Sequence, residues 1–204
     1  MAGSTVEYFY AAHSAYAYLG SARLMEIVRA AGARLLHRPM DLRRVVPAAG
    51  SIPTGERTAG HRAYFFGREI QRWSEERNAP VVAGLPTHHH HDIGLPNCML
   101  IAAGESGDAV DRLAHGILQA HWRDDADHAD PATLVRLAGG VGLDGEALLA
   151  AAQTDAVKAM YERYTQEAID RSVFGSPTYF VDGDMFYGQD RLEMVERALR
   201  QPYR

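Results

Sequence analysis

Patterns typical of β-strands occur only near the two ends of this chain, which has 204 residues. Near the first end, residues 6–10 form a short aromatic and β-branched run that predicts a buried strand. Residues 14–31, rich in Ala, Leu, Met and Arg, predict a helix that ends at Gly32. A second strand is predicted over residues 33–40. A strand, a helix and a strand within about 40 residues have the size of a right-handed crossover unit.

The other end of the chain predicts a hairpin followed by a helix. Residues 178–181 and 185–187 are predicted strands, and the Asp-Gly-Asp segment at 182–184 is a tight-turn signal. Residues 189–200 predict an amphipathic helix. Between the two ends, the patterns are almost wholly helical, beginning with a predicted helix over residues 61–77, and are separated by glycines, prolines and aspartates.

A βαβ beginning, a helical middle and a ββα end together predict an α/β chain with a thioredoxin fold interrupted by helices. We assign residues 1–57 and 173–204 to the thioredoxin-like domain and residues 58–172 to an all-helical insertion domain.

Composition narrows the class of protein. Hydrophobic residues make up 47% of the chain, enough for a core without disulfides or structural metals. The net charge of −5 argues against a nucleic-acid partner, which would require a basic face. Neither a signal peptide nor a membrane-spanning apolar run is visible, so we expect a soluble, cytoplasmic protein. The one cysteine, Cys98, excludes the Cys-x-x-Cys chemistry of a dithiol oxidoreductase.

Ser14 is the first candidate functional residue, because it stands where a strand ends and a helix begins. One interpretation is a simple N-cap of the helix. The other is that its hydroxyl and the free N–H groups of the helix terminus together hold an anion such as a thiolate. The Glu or Gln of a capping box is missing, since position 17 is alanine.

Two further candidates lie near the other end. Pro177 leaves a loop and enters a strand, so its bond to Ser176 is either an ordinary trans bond or a cis bond that turns the Ser176 backbone towards an extended ligand. Asp190 opens the last helix, where it either compensates the helix dipole or binds an ammonium group.

The four histidines at 88–91, followed by Asp92, resemble a metal cluster. On an extended chain, however, neighbouring side chains point in opposite directions, which is poor spacing for a structural zinc site. We therefore predict an exposed loop that is dispensable for activity, and no functional metal. His115, His121 and His128 lie near several aspartates and carry a weaker metal signal.

Taken in order, these segments resemble the 2-hydroxychromene-2-carboxylate isomerases and the related kappa-class glutathione transferases over essentially the whole chain. The F-D-F strand and S-P-Y-A-Y-L helix start of that family correspond to YFY at 8–10 and SAYAYL at 14–19. Its V-F-G-V-P-T segment, D-G hairpin and F-W/Y-G-x-D-R-L block correspond to VFGSPT at 173–178, DG at 182–183 and FYGQDRL at 186–192.

The resemblance implies a DsbA-like thioredoxin fold, a homodimer, an aromatic small-molecule substrate and glutathione as cofactor. In the family, the serine holds the glutathione thiolate, the segment before a cis-proline pairs with the cysteinyl backbone, and the D-R-L block binds the γ-glutamyl end. Carried over to this chain, the catalytic residue is Ser14 and the cofactor-binding residues are Ser176, Pro177, Asp190, Arg191 and, as a weaker candidate, Asn97.

The implied activity is a cis–trans isomerisation of aromatic enone carboxylates by a transient glutathione thiolate. A glutathione transferase and a non-catalytic binding module on the same scaffold are the alternatives. Two positions depart from the family pattern. Its proline after the serine is Ala15 here. A lysine expected near the start of the helix that holds Tyr64 is absent, with His61 and Arg62 the nearest basic groups. The resemblance therefore implies that this chain binds a substrate carboxylate differently.

Overall fold

The computed structural model describes residues 4–204, so the first three residues of the predicted thioredoxin-like domain lie outside it. The strands form one sheet in the order β2-β1-β3-β4, with β1 parallel to β2 and antiparallel to β3. Their bounds are β1 Thr5–Tyr10, β2 Arg34–Pro39, β3 Thr178–Val181 and β4 Asp184–Tyr187. The helices of the described residues are α1 Ala15–Ala31, α2 Leu42–Ala48, α3 Ala59–Arg62, α4 Glu69–Glu76, α5 Gly94–Ala103, α6 Asp108–Trp122, α7 Pro131–Gly140, α8 Gly145–Ala152, α9 Asp155–Asp170 and α10 Leu192–Arg200.

The sheet joins the two ends of the chain, as the sequence predicts. Tyr8 of β1 lies opposite Tyr179 of β3, and their rings stack with centroids 5.5 Å apart. Tyr10 stacks on Tyr8 at 4.0 Å, and its hydroxyl lies 2.8 Å from Nδ1 of His37. This buried aromatic row, in which every ring is at most 2% exposed, fixes β1 against both neighbours.

Helix α1 has the bounds that its local signals predict. Ser14 caps its first turn, and Gly32 ends it with a φ of 61°, a left-handed conformation that glycine adopts without strain. Gly20 permits a close approach to the last part of the chain, because a Cβ there would lie 2.6 Å from Cβ of Gln189. Helix α1 thus holds residues 189–191, which form a short 3-10 turn before α10 rather than its first turn.

Every regular element between Ala59 and Asp170 is a helix, in agreement with the predicted helical middle. The helix predicted over 61–77 is interrupted, because Ala63–Arg68 is a π-helical segment between α3 and α4. Trp122, at the end of α6, is buried and donates a hydrogen bond from Nε1 to the carbonyl oxygen of His13 at 2.8 Å. Among residues 4–204, no helix combines the length and apolar character needed to cross a membrane.

Candidate functional site

Ser14 lies between β1 and α1, in extended conformation with φ −73° and ψ 123°. Its Oγ accepts a hydrogen bond from Ala17 N at 3.3 Å and donates one to the carbonyl oxygen of Ser176 at 3.2 Å. Ser14 is therefore the N-cap of α1, as one of its two interpretations predicts. Both bonds are slightly longer than the usual range, so the hydroxyl can exchange a partner at small cost.

The segment that faces Ser14 is held by the sheet and by side chains. The Ser176–Pro177 bond is cis, as the resemblance to the isomerase family predicts. Ser176 Oγ accepts from Ala11 N at 3.2 Å, and the Pro177 carbonyl accepts from Gly188 N at 2.9 Å. These bonds bring the end of β1, the start of β3 and the loop after β4 together beside Ser14.

Several backbone N–H groups at this place are free to bind an anion. Within residues 4–204, the amides of Ala15, Tyr16 and Ser176 donate to no protein acceptor. Ala15 and Tyr16 stand in the first turn of α1, where such groups carry the positive end of the helix dipole. An anionic sulfur beside Ser14 would therefore meet a hydroxyl and a helix terminus.

Asp190 and Arg191 form a half-exposed pair on the rim of the site. Asp190 Oδ2 lies 2.8 Å from Nη1 of Arg191. Gly188, with φ 99°, brings the turn close enough that a Cβ there would lie 2.4 Å from Asp190 Oδ1. Burial above all, then Glu69, Tyr187 and Asp190, raises the pKa of Tyr16 well above its ordinary value. The Asp190 carboxylate therefore lies close enough to the first turn of α1 to affect the pKa of Tyr16.

Asn97 lies behind the site rather than in its opening. It is fully buried, and its Oδ1 accepts from Ala12 N at 3.0 Å. Its Nδ2 donates to Met40 O at 3.3 Å and to Tyr161 Oη at 3.1 Å. Because both amide protons are used, Asn97 in this structure positions the loop that precedes Ser14.

An aromatic group with a cation lies beside the first turn of α1, and sequence reasoning missed its cation. Tyr16 donates its hydroxyl hydrogen bond to Phe65 O, and their ring centroids are 5.1 Å apart. The Arg57 guanidinium lies 5.9 Å from the Phe65 ring and 5.8 Å from the Phe66 ring. Arg57 precedes α3 in the chain, outside the helix where the family resemblance places a lysine, so no motif marked it.

A second cluster consists of histidines and lies next to Ser14. His89 Nδ1 is 3.0 Å from His121 Nε2, whose Nδ1 is 3.2 Å from His128 Nδ1. The His13 ring lies 5.1 Å from that of His89. Burial, followed by the neighbouring histidines, lowers the pKa of His89 to about 3 and that of His128 to about 4, so both are neutral at pH 7.

This cluster corrects the prediction that residues 88–91 form an exposed loop. His90 and His91 are exposed, but His88 and His89 are only partly so. The reason is a turn in the chain that packs the His89 ring against the Trp122 indole, with centroids 5.3 Å apart. The prediction assumed an extended run of histidines, in which His89 would not pack against Trp122.

Cys98 provides no thiolate for this site. It lies within α5, and burial raises the pKa of its thiol to about 11. A protonated, buried thiol is neither nucleophilic nor available to a second cysteine.

The fold and the site define the class of protein: the chain belongs to the DSBA-like thioredoxin domain family, whose profile matches residues 5–200. Within that family it is similar to a protein named 2-hydroxychromene-2-carboxylate isomerase from Sphingobium xenophagum, with 27% identity over 96% of this chain and 97% of the relative. A relative of the same name from Pseudomonas putida is 26% identical over 95% of this chain and 93% of its own. A solved structure of 2-hydroxychromene-2-carboxylate isomerase superimposes with a TM-score of 0.81 and 25% identity, covering 97% of this chain and 95% of that one.

Proposed function

We propose that this chain is a glutathione-dependent isomerase of aromatic enone carboxylates, similar in activity to 2-hydroxychromene-2-carboxylate isomerase. The observation that carries the proposal is Ser14, whose hydroxyl caps α1 and faces the Ser176 carbonyl beside the cis Ser176–Pro177 bond. Relatives that bear the isomerase name align over almost the full length of the chain.

The residues around Ser14 fit glutathione in three respects. The hydroxyl and the free N–H groups of Ala15 and Tyr16 are donors for a thiolate. The amide of Ser176 is free to pair with an extended peptide backbone. Asp190, about 40% exposed at its side chain, offers a carboxylate to an ammonium group. When bound, glutathione supplies a thiolate that adds reversibly to a conjugated enone, so that the former double bond rotates before elimination.

The chain's own part in this reaction is to favour the ionised thiol and to orient the substrate. A free thiol has a pKa of about 8.5, so little of it is ionised at neutral pH. A hydroxyl donor and a helix N-terminus both lower that value. To donate to sulfur, Ser14 gives up its bond to the Ser176 carbonyl, which exchanges a neutral hydrogen bond for a charge-assisted one.

The substrate's aryl ring and carboxylate require a separate surface. The rings of Tyr16, Phe65 and Phe66 lie beside the first turn of α1, and Arg57 lies over two of them. Arg57 is thus a cation available to a carboxylate, in place of the lysine that the family pattern has and this chain does not.

Replacing Ser14 tests the proposal directly. Ser14→Ala removes one charge-assisted hydrogen bond, worth about 1.5–3 kcal/mol. The pKa of bound glutathione should rise by about one to two units. Turnover at pH 7 should fall roughly tenfold to a hundredfold and recover in part at higher pH. The measurement is the ultraviolet absorbance of the thiolate, titrated with glutathione bound to each protein.

Thr154→Ala is the matched control, because Thr154 caps α9 and accepts from Val157 N at 3.4 Å. Each variant loses one N-cap, at a cost of about 1 kcal/mol of stability. Only Ser14→Ala should shift the thiol titration. Equal midpoints in all three proteins would reduce Ser14 to a cap and favour a non-catalytic binding module. An accumulating glutathione conjugate would instead indicate a transferase.

A further inference from the structure

The histidine run at 88–91 is folded into a turn. His89 N donates to Pro86 O at 3.1 Å, and His91 N donates to His88 O at 3.0 Å. Residues three apart in such a turn lie on one side, as they do on a helix. The rings of His88 and His91 accordingly have centroids only 5.0 Å apart.

Two long-range contacts anchor this turn. Thr87 donates from its amide and its hydroxyl to the Asp125 carboxylate, at 2.7 and 2.6 Å. Arg43 donates from Nη2 to the His91 carbonyl at 2.9 Å. The turn is therefore held against α2 and against the loop between α6 and α7, unlike a free tract of histidines.

Asp127, in that same loop, completes a set of three donor groups. Its Oδ2 lies 2.9 Å from His91 Nδ1 and 3.7 Å from His88 Nδ1, and the three donor atoms all lie within 4.8 Å of one another. Asp127 Oδ1 accepts from Ala129 N at 2.9 Å, which orients the carboxylate. Ligands at about 2.0–2.2 Å from a tetrahedral zinc ion are roughly 3.3–3.6 Å apart. The observed spacings are on either side of that range.

We propose that His88, His91 and Asp127 form a binding site for a divalent transition metal ion of the zinc type. Two imidazoles and one carboxylate suit Zn²⁺, Co²⁺ or Ni²⁺, whereas Mg²⁺ and Ca²⁺ prefer all-oxygen sites. Each imidazole binds through Nδ1 when its proton is on Nε2, so neutral rings need only change tautomer. The ion displaces the hydrogen bond between His91 and Asp127.

The ion would link the turn at 86–91 to the loop between α6 and α7. The partly buried His89 ring of the turn at 86–91 stacks on the buried His121 ring, with centroids 5.3 Å apart. His121 Nδ1 in turn lies 3.3 Å from the carbonyl oxygen of Ala126, in the loop that carries Asp127. Because the site forms only in the folded chain, metal binding stabilises the fold by an amount that grows with the logarithm of the ratio of free metal concentration to dissociation constant. The site uses none of the residues that the proposed isomerase activity requires.

The test uses the full chain without an added histidine tag, stripped of metal with EDTA. Zn²⁺ binding is measured by calorimetry, and Co²⁺ binding by its visible absorption. The wild type should bind one ion of either metal, and Zn²⁺ should raise the melting temperature. His91→Ala and Asp127→Asn should each weaken binding by at least about tenfold. His90→Ala is the matched control, since His90 is an exposed member of the same run outside the triad.

The control decides between a built site and a flexible tract. If His90→Ala weakens binding as much as His91→Ala does, or if Asp127→Asn binds like the wild type, the triad is wrong. Far-ultraviolet circular dichroism verifies that each variant is folded. Should His91→Ala fail to fold, the conservative pair Asp127→Asn and His88→Gln gives the same comparison. Isomerase activity enters none of these measurements, so the result stands apart from the proposed function.

Discussion

Arg57 is the residue for which the structure adds most to the sequence. It is half-buried, its Nε donates to Ile52 O at 2.9 Å, and its guanidinium lies over two phenylalanine rings. Burial raises the pKa of the Tyr187 hydroxyl, while Arg57 lowers it and Asp190 raises it, so Arg57 and Asp190 act on the same side chain. The Arg57 charge therefore lies close enough to the rim of the candidate site to act on the same tyrosine as Asp190.

Replacing Arg57 should separate substrate binding from chemistry. If Arg57 binds the substrate carboxylate, Arg57→Ala should raise KM about tenfold and leave kcat within about threefold, because a contact made equally in the ground and transition states affects binding alone. Steady-state kinetics provide both constants. Arg62→Ala is the control, because Arg62 contacts the Arg57 backbone and lies over neither ring. The same KM change in both variants would count against a specific role for Arg57.

Among the elements, α1 carries the site through two close contacts, its cap and the approach at Gly20. A Cβ on Gly20 would also lie 3.2 Å from Cδ1 of Leu192 and 3.3 Å from Oη of Tyr179. The helix is thus packed against the turn that presents Asp190 and against β3. Any widening of this contact moves Asp190 away from Ser14.

Gly20→Ala should destabilise the protein, although alanine is the better helix former. Helix propensity favours alanine by about 1 kcal/mol, but overpacking against Gln189 costs about 1–3 kcal/mol. Gly116→Ala in α6 is the control, because a Cβ there meets nothing within 4 Å. It should stabilise the fold by about 0.5–1 kcal/mol. Urea unfolding measures both changes, and a stabilised Gly20→Ala would contradict the packing described here.

The elements also indicate how far the sequence predicts this structure. The bounds of α1 follow from signals that are local in the sequence, a serine before its first residue and a glycine after its last. The turn at 86–91 depends on Asp125 and Arg43, which are far away in sequence, so no local pattern predicts it. The position of Ser14 beside Ser176 could be inferred through the family resemblance, whereas the Arg57 contacts arise only from packing.

A largely buried group of neutral imidazoles links separate parts of the chain. His13 is 8% exposed, and burial, with His89, His128, Arg43 and His121 around it, holds its pKa well below the ordinary value. These four neighbours belong to the turn at 86–91, the loop after α6, α2 and α6 itself. Protonating His13 would place a charge among groups that offer it no carboxylate.

Stability should therefore fall on acidification. An unfolded histidine has a pKa of about 6.5. Below that pH the unfolded chain binds a proton at this position, whereas folded His13 stays neutral. The free energy of unfolding should drop by up to about 1.4 kcal/mol per pH unit for this group. Urea titrations from pH 7.5 to 5 should give a shallower dependence for His13→Gln than for the wild type. His61→Gln, at an exposed position, should retain the wild-type slope; identical slopes in all three proteins would exclude His13 as a cause.

The pairing of β1 with β3 has a consequence for biosynthesis, because Phe9 and its partner Thr178 are about 170 residues apart in the chain. At translation rates of about 5–20 residues per second, roughly 10–30 s separate their synthesis. During that interval the nascent chain contains Ser14 but neither Ser176 nor the strand that covers the aromatic face of β1. An incomplete polypeptide therefore exposes tyrosines to chaperones or to aggregation and has no assembled site. The contact between Ser14 and the Ser176 carbonyl can form only after residue 176 has been synthesised.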